Sequence, residues 1–323
     1  MAAKLTFLGT GTSQGVPMIG CRCDVCMSAD QRDKRLRSSV LVEYEGLTIL
    51  VDAGPDFRQQ MLAAEVSHLD AILLTHNHKD HTGGLDDIRA FNYLEKKATQ
   101  IYCEKYVEDA LRMEYSYAFA EKKYPGAPEW EVHTIDEKSF CINGVEIIPI
   151  RGRHYKLPVL GFRFGDIAYC TDMNHIPEEE FEKLKGLDHF IINTVRRGHH
   201  ISHYALETAL KVAERVGAQH TWLTHLSHQL PRYQELAAEL PEGVEAKVQE
   251  AAKKAYLALN CSGLSRVDFF LLEDGRICLN ELNTLPGFTS ISMFPKLFAK
   301  VGVPYSELID RLLAYAEEKH NEK

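Results

Sequence analysis

The stretch that decides the fold is Thr75-His76-Asn77-His78-Lys79-Asp80-His81, which closes an apolar segment at residues 71–75. The apolar segment predicts a short buried β-strand, so four side chains of metal-ligating type stand at the carboxyl end of that strand. A loop there can turn His76 and His78 toward one ion, and Asp80 and His81 toward a neighbouring ion. Neutral imidazole binds Zn, Mn or Fe, and a carboxylate adds a hard oxygen ligand. The stretch therefore predicts a site for two metals.

Length and charge narrow the class of protein. The chain has 323 residues, which is enough for two domains, and a formal net charge of −9. No apolar run approaches the ~20 residues that a membrane helix needs, and the N-terminus has no apolar signal segment. We therefore expect a cytoplasmic protein without membrane partners, and the acidic balance argues against strong nucleic-acid binding.

The order of predicted elements indicates an α/β fold in two domains. Predicted strands and helices alternate up to about residue 245, with many hairpins, which is typical of a layered sandwich with mixed sheets. From residue 246 the composition changes to an Ala- and Lys-rich helix at 246–259. A hairpin with an Asp274-Gly275 turn and a final helix at 305–319 follow. The sequence thus predicts domains at residues 1–245 and 246–323.

The histidine stretch resembles a known signature. His76-x-His78-x-Asp80-His81 is similar to the motif of the metallo-β-lactamase superfamily, and the resemblance covers nearly all of residues 1–245. Three further ligand-type residues stand at predicted strand ends in the order in which that superfamily places its other ligands: His154, Asp172 and His225. The resemblance implies an αββα sandwich and a metal-dependent hydrolase.

The resemblance also implies how the ligands divide between the metals. His76, His78 and His154 would hold one ion; Asp80, His81 and His225 would hold the second; and Asp172 would bridge both. Asp52 would be a buried residue that supports the metal ligands without binding a metal itself. Two divalent ions, Mn or Zn, would stabilise the attacking and leaving oxygens of an in-line displacement and lower the pKa of a shared water. Asp80 and Asp172 would take part in catalysis as ligands of those two ions.

A second cluster of ligands lies in Cys21-Arg22-Cys23-Asp24-Val25-Cys26, three of the eight cysteines. In a chain without a secretion signal, clustered cysteines indicate metal more often than disulfides. His228, three residues past His225, completes a Cys₃His set of the closed, structural zinc type. The pattern resembles the cyclic phosphodiesterases associated with the carbon–phosphorus lyase pathway, including their structural zinc. The five scattered cysteines are predicted to be buried apolar residues.

A histidine pair precedes the predicted helix at residues 204–216. In the same group of phosphodiesterases a histidine at this place is a candidate general acid, and His203 aligns best with it, while His200 is the alternative. A purely structural role at the helix start stays open for both. Lys156 and the pair Arg196-Arg197 are read as solvated surface residues, although each could meet an anionic substrate.

The C-terminal segment resembles a different family, the C-terminal part of D-alanine–D-alanine ligase, an ATP-grasp enzyme. The resemblance is carried by residues 263–270, 279–284 and 286–289. It implies Mg²⁺ ligands at Asp268, Glu281 and Asn283, with Arg266 on the transferred phosphate. The substrate domain and the lysine-bearing sheet of that enzyme have no counterpart here, so we expect a partial, inactive ATP-grasp α+β fragment with a vestigial Mg²⁺ site.

The function predicted from these patterns is a metal-dependent phosphodiesterase acting on a small or cyclic phosphodiester. Three alternatives stay open: a nuclease of the tRNA 3′-processing type, a thioester or lactone hydrolase, and ATP and Mg²⁺ binding by the C-terminal fragment. The predicted partner is a small molecule, and a homodimer is one of the oligomeric states that the sequence leaves open.

Overall fold

A computed structural model describes residues 3–239, 244–259, 261, 263–272, 277–284, 286–288, 292–300 and 303–321. The chain divides into two compact units, Met1–Leu236 and Ala237–Lys323. The observed boundary after Leu236 comes earlier in the chain than the boundary predicted after residue 245. It still leaves every metal ligand predicted for the first domain, up to His228, in the first unit. None of the helices among the described residues is long and apolar enough to cross a membrane.

The first unit contains two sheets of six strands each. The first sheet follows chain order, with antiparallel pairs among its first three strands and parallel pairs from the third strand onward. Its strands are β1 (Lys4–Gly9), β2 (Ser39–Tyr44), β3 (Leu47–Val51), β4 (Ala71–Leu73), β5 (Thr99–Cys103) and β6 (Trp130–Thr134). The mixed pairing agrees with the predicted mixture of hairpins and crossovers.

The second sheet runs in the reverse spatial order, from β12 to β7. Its first four strands in sequence form antiparallel pairs, and its last two add in parallel. Its strands are β7 (Phe140–Ile142), β8 (Val145–His154), β9 (Leu157–Phe164), β10 (Ile167–Cys170), β11 (His189–Asn193) and β12 (His220–Thr224).

The helices up to residue 239 are α1 (Asp24–Met27), α2 (Phe57–Ala63), α3 (Lys79–Thr82), α4 (Arg89–Glu95), α5 (Lys105–Glu114), α6 (Leu206–Val216) and α7 (Tyr233–Glu239), with 3₁₀ turns at Gln31–Asp33, Leu85–Ile88, Ser116–Ala118 and Glu178–Leu184. Of these, α2, α4 and α5 pack on the outer face of the first sheet and α6 on that of the second. Alternation along the strands creates the layers: Val40 and Val42 point between the sheets, while Leu41 between them packs under the outer helices. A third apolar cluster joins the second sheet to α6. The four layers are the predicted αββα sandwich.

The second unit is an α+β fragment, as predicted from the ATP-grasp resemblance. It contains α8 (Val244–Ala258), the antiparallel pair β13 (Arg266–Leu271) and β14 (Ile277–Asn283), α9 (Met293–Lys300) and α10 (Tyr305–Asn321). The predicted Asp274-Gly275 turn and Thr289 lie outside the described residues.

Two sequence predictions need correction. The sequence of residues 107–120 predicts one long helix. The helix instead ends at Glu114, because Tyr115 leaves helical geometry, packs its ring on Trp130 and donates its hydroxyl to the carbonyl of Thr82. The scattered cysteines are not all buried: Cys103 and Cys170 are, while Cys261 is intermediate. Cys141 and Cys278 are exposed, Cys141 because β7 is the edge strand of its sheet.

Candidate active site

The predicted ligands all stand at the ends of strands in the first unit. His76 follows β4, and the short helix α3 carries Asp80 and His81. His154 is the last residue of β8, Asp172 follows β10 after Thr171, and His225 comes directly after β12. Asp172 and His225 both have a φ of 56°, a left-handed geometry that is rare in non-glycine residues and typical of functional sites.

A close backbone approach seats α3 against the turn after β3. A Cβ atom added to Gly54 would lie 2.0 Å from the carbonyl oxygen of Asp80. Only glycine allows this contact, since any side chain would overlap the backbone of the helix. The sequence Asp52-Ala53-Gly54 therefore brings α3 and its ligands within reach of Asp52.

Three histidines form the first ligand group. The ring centroids of His76 and His78 are 4.5 Å apart, and those of His76 and His154 are 5.6 Å apart. One ring nitrogen from each of the three lies within 4.8 Å of the others. His154 Nδ1 donates to the carbonyl oxygen of Ser202 at 2.8 Å, which leaves its Nε2 free for a metal.

The second group gathers around the carboxylate of Asp172. Its Oδ2 lies 3.2 Å from His81 Nε2 and 3.1 Å from His225 Nδ1. His81 Nε2 is also 3.2 Å from Asp80 Oδ2. The oxygens of Asp172 thus adjoin ligand atoms of the second predicted set, and Asp172 also groups with His76 and with His154 of the first.

The chemistry of these atoms fits divalent metals. Among the residues that the structure describes, the Nε2 atom of His76 is buried without a hydrogen-bond partner, and that of His81 is buried beside the Asp80 and Asp172 oxygens without a well-aligned hydrogen bond to either. Buried nitrogens are normally hydrogen-bonded, so two such atoms among carboxylates indicate ligands for a cation. The residues that would hold the ions are the seven that the sequence predicts.

The pKa shifts of the predicted ligands also suit metal binding. Burial holds the pKa of His76 well below its usual range, which keeps the imidazole neutral as a ligand must be. Burial alone would raise the pKa of Asp172, but His225 and His81 outweigh it and hold the pKa well below its usual range. Burial lowers the pKa of His154 to about 4. The neutral imidazoles of His76 and His154 beside the ionised carboxylate of Asp172 thus offer a cation both lone pairs and a negative charge.

His203 lies inside the site, as the general-acid prediction requires. Its Nε2 is 3.1 Å from Asp172 Oδ1, and its ring stacks on His225 with centroids 4.8 Å apart. His200 contacts His203 rather than Asp172: its Nδ1 lies 3.2 Å from His203 Nδ1. Of the two candidates, His203 is the one that contacts Asp172, the residue predicted to bridge the metals.

The cysteine cluster forms a second potential metal site. Cys21 Sγ and Cys23 Sγ lie 3.3 and 3.4 Å from His228 Nδ1, and Cys26 completes the group of four. These distances suit a tetrahedral zinc, whose ligands stand roughly 3.5 Å apart. Hydrogen bonds from the Cys26 backbone and from His228 lower the pKa of Cys23 to about 6, whereas burial raises that of Cys26 to about 11.

The residues predicted as an Mg²⁺ site lie in the second unit. Arg266 donates to both oxygens of Asp268, at 3.0 and 2.7 Å, and to Glu281 at 3.1 Å. Asn283 pairs with Arg266 across the two strands. The guanidinium of Arg266 thus lies between the carboxylates of Asp268 and Glu281, where an Mg²⁺ ion would have to bind.

Sequence reasoning missed residues that support the ligands. The hydroxyl of Ser38 lies 3.3 Å from His225 Nδ1, and Thr75 donates its backbone N–H and its hydroxyl to Asp52. Ser202 contributes its carbonyl oxygen to His154, and its hydroxyl lies 3.1 Å from His203 Nδ1. None of the three carries a spacing signal, because each acts through a contact between distant segments. The predicted surface residues Lys156 and Arg196 contact the Tyr155 ring and the His199 carbonyl.

Comparison with known proteins defines the class. A family model described as a beta-lactamase superfamily domain matches residues 48–226, more than half of the chain. A model described as D-ala D-ala ligase C-terminus matches residues 227–314. The chain therefore belongs to the beta-lactamase superfamily, and it joins a metallo-β-lactamase-fold hydrolase to a region similar to D-alanine–D-alanine ligase. His228 lies inside the second match, yet it contacts cysteines of the first unit.

Individual relatives refine this statement. A solved structure described as a new diphosphatase from the PhnP family is 39% identical, with a TM-score of 0.70, and the match covers 75% of this chain and 93% of that one. An octanoyltransferase from Porphyromonas gingivalis is 41% identical over 257 residues, 76% of this chain and 52% of that protein. A D-alanine–D-alanine ligase from Lactobacillus gasseri is 51% identical over 90 residues, 28% of this chain and 25% of that protein. The chain thus spans about half of the octanoyltransferase and a quarter of the ligase.

Proposed function

We propose that this protein is a metal-dependent phosphodiesterase that hydrolyses a small phosphodiester, cyclic or linear. The observation that carries the proposal is the convergence of five histidines and two aspartates on one centre, where, among the described residues, the Nε2 atom of His76 is buried without a hydrogen-bond partner. Such a centre would neutralise a substrate that brings its own negative charge. The relative described as a diphosphatase also cleaves a bond between phosphorus and oxygen, which supports the same substrate class.

Two divalent cations held there would stabilise the charge on the phosphoryl oxygens and lower the pKa of a water molecule enough to make it a nucleophile at neutral pH. His76, His78 and His154 would hold one ion, and Asp80, His81 and His225 the other, with Asp172 between them. Mn and Zn both accept this set of nitrogen and oxygen donors.

The remaining chemistry is a proton transfer to the leaving oxygen. His203 Nε2 faces the centre beside Asp172 Oδ1, and the other ring nitrogen lies 3.1 Å from Ser202 Oγ. A proton on Nε2 would therefore lie beside Asp172, next to the place where we propose that a substrate meets the metals. When the bond from phosphorus to the leaving oxygen breaks, its electron pair stays on that oxygen, which takes the proton from His203.

A second candidate function rests on the octanoyltransferase relative, whose name describes acyl transfer. A nucleophile that attacks a phosphoryl group can also attack an acyl carbon, so thioester or ester hydrolysis is the alternative within the same site. Because the chain spans only about half of that relative, the phosphodiester stays the first choice.

The test is hydrolysis of bis(p-nitrophenyl) phosphate by the full chain with added Mn²⁺ or Zn²⁺. We expect turnover that falls by more than about 100-fold in His76→Ala, since that variant lacks a ligand. His68→Ala is the matched control, because His68 pairs with Asp70 and Glu95 on the surface and should leave the rate unchanged.

Two further substrates separate the alternatives. A diester of diphosphate that is cleaved faster than bis(p-nitrophenyl) phosphate would make the bond between two phosphorus centres the natural target. Turnover of p-nitrophenyl octanoate without turnover of either phosphorus substrate, by folded and metal-loaded protein, would overturn the phosphodiesterase proposal in favour of acyl chemistry.

A further inference from the structure

The side chain of Asn174 joins the two segments that carry His154 and His203. Its Oδ1 accepts the backbone N–H of Tyr155 at 3.0 Å, and its Nδ2 donates to the carbonyl oxygen of Ile201 at 3.0 Å. Both distances are those of good hydrogen bonds. The primary amide thus spans the gap between a predicted metal ligand and the segment that leads to the predicted acid.

The turn after His154 depends on this support. β8 passes into β9 through Tyr155 and Lys156, and Tyr155 has a φ of 58°, which costs free energy for a residue with a side chain. The ring of Tyr155 is 50% exposed, so burial does little to hold it. The hydrogen bond from its N–H to Asn174 therefore contributes to the geometry of the turn.

The segment before His203 is held in the same way. Ile201 is 59% exposed and lies outside helices and strands, so apolar packing does not fix it. Two hydrogen bonds tie this segment to the end of β8: Asn174 Nδ2 to the Ile201 carbonyl, and His154 Nδ1 to the Ser202 carbonyl. Asn174 is itself anchored, since its backbone N–H donates to the Arg153 carbonyl at 2.8 Å.

We infer that Asn174 is a positioning residue that sets His203 for proton transfer to the leaving group. The inference rests on the proposed phosphodiesterase function and extends it to a residue that touches neither the substrate nor the predicted metals. Displacement of a proton donor weakens its contribution most when the leaving oxygen is strongly basic, because a weakly basic oxygen departs without a proton. Loss of the two Asn174 side-chain hydrogen bonds should therefore slow the hydrolysis of esters with poor leaving groups more than that of esters with good leaving groups.

Asn174→Asp isolates the relevant bond. A carboxylate keeps the acceptor for the Tyr155 N–H, but it has no hydrogen to donate to Ile201 and repels that carbonyl. Asn174→Ala removes both bonds and serves as the second variant. The matched control is Asn92→Asp, because the Asn92 amide likewise donates to loop carbonyls, those of Lys97 and Glu129, and accepts from the Glu129 N–H.

The substrates are two methyl phosphodiesters, one with a p-nitrophenyl leaving group and one with phenyl. In Asn174→Asp we expect kcat/KM to fall roughly 10-fold more on the phenyl ester than on the p-nitrophenyl ester, and this difference to vanish in a His203→Asn background. Asn92→Asp should keep the wild-type ratio. Hydrogen exchange supplies a readout apart from activity: residues 199–203 should exchange faster in Asn174→Asp, while the Tyr155 amide stays protected and the metal content is unchanged.

Four results would overturn the assignment. An equal loss on both esters would make Asn174 merely structural, and a loss of bound metal would make it a support of His154 instead. Wild-type protein that is metal-loaded and hydrolyses neither ester would refute the proposed function, and this inference with it. An active wild type with an unchanged ratio in both Asn174 variants would refute this inference alone.

Discussion

His81 Nδ1 lies 2.6 Å from Asp52 Oδ2, and both side chains are almost completely shielded from solvent. Burial alone would lower the pKa of His81, but Asp172, Asp52 and Asp80 outweigh it and raise the pKa well above its usual range. The bond to Asp52 fixes Nδ1 as the donor, so that Nε2 points at Asp80 and Asp172. A buried aspartate beneath the site thus decides which atom of His81 is offered to a cation.

Replacing Asp52 should weaken metal binding although Asp52 itself would touch no ion. In Asp52→Asn an NH₂ group must face either His81 or Thr75, both of which donate to Asp52. We expect the affinity for the active-site metals to fall about 10- to 100-fold, measured by competition with a chelator. Asp70→Asn is the control, because Asp70 also pairs with a histidine and accepts a backbone N–H, but at the surface. Wild-type affinity in Asp52→Asn would contradict the role given to this pair.

His203 and His200 can be separated by substitution with asparagine, which removes the acidic proton and keeps a polar side chain. We expect His203→Asn to lower kcat roughly 100-fold on a phenyl phosphodiester, since only His203 contacts Asp172. His200→Asn should have a far smaller effect. The measurement is steady-state kinetics on protein of verified metal content. If His200→Asn gave the larger loss, the two roles would have to be exchanged.

The Cys₃His cluster should bind a structural zinc that is independent of the active site. Cys23→Ser is expected to remove about one zinc ion per chain and to lower the melting temperature, because a closed zinc site contributes directly to folding. Elemental analysis and thermal unfolding measure the two effects. Cys141→Ser is the control, since Cys141 is an exposed cysteine outside the cluster. An unchanged zinc content in Cys23→Ser would remove the basis for this site.

Glu108 should stabilise the first unit at neutral pH and lose that effect in acid. Burial raises its pKa, but the hydroxyl of Thr134 and the guanidinium of Arg112, each 2.8 Å away, outweigh burial and lower it. A group whose pKa is lower in the folded state stabilises that state above its unfolded pKa, about 4.3. The stabilisation then disappears as the pH falls through the folded value.

Urea unfolding of Glu108→Gln measures this effect. We expect a loss of about 1 kcal/mol at pH 7 that shrinks below pH ~4.5. Both tryptophans of the chain, Trp130 and Trp222, lie in the first unit, so their fluorescence reports on its unfolding. The exposed Glu131→Gln serves as the control. A loss of stability of the same size at every pH would show that the packing of the Glu108 side chain, rather than its charge, accounts for its contribution.

The ligase-like unit should not bind nucleotide. Arg266 neutralises Asp268 and Glu281, and the chain spans only a quarter of the ligase from Lactobacillus gasseri. We therefore expect no binding heat when Mg²⁺ and ATP are titrated into the full chain. A dissociation constant tighter than about 1 mM would contradict this prediction.

The sequence by itself determined the fold class, the fusion and the candidate ligands. His76, His78, Asp80 and His81 are separated by one or two residues at a strand end, so local spacing is enough to indicate that they act together. The Cys21–Cys26 cluster is recognisable for the same reason. The mixed sheets follow from the order of the predicted elements, in which hairpins and strand–helix alternation are both recognisable from local stretches.

Only the tertiary structure decided how these residues are oriented and supported. The Ser202 carbonyl sets the tautomer of His154 from 48 positions away along the chain, and Asp52 sets that of His81 from 29. Asn174 joins segments that no spacing rule connects, and Cys141 is exposed because its strand lies at a sheet edge. Such contacts depend on the relative placement of distant segments, which the burial of apolar side chains determines, so no single stretch of sequence encodes them.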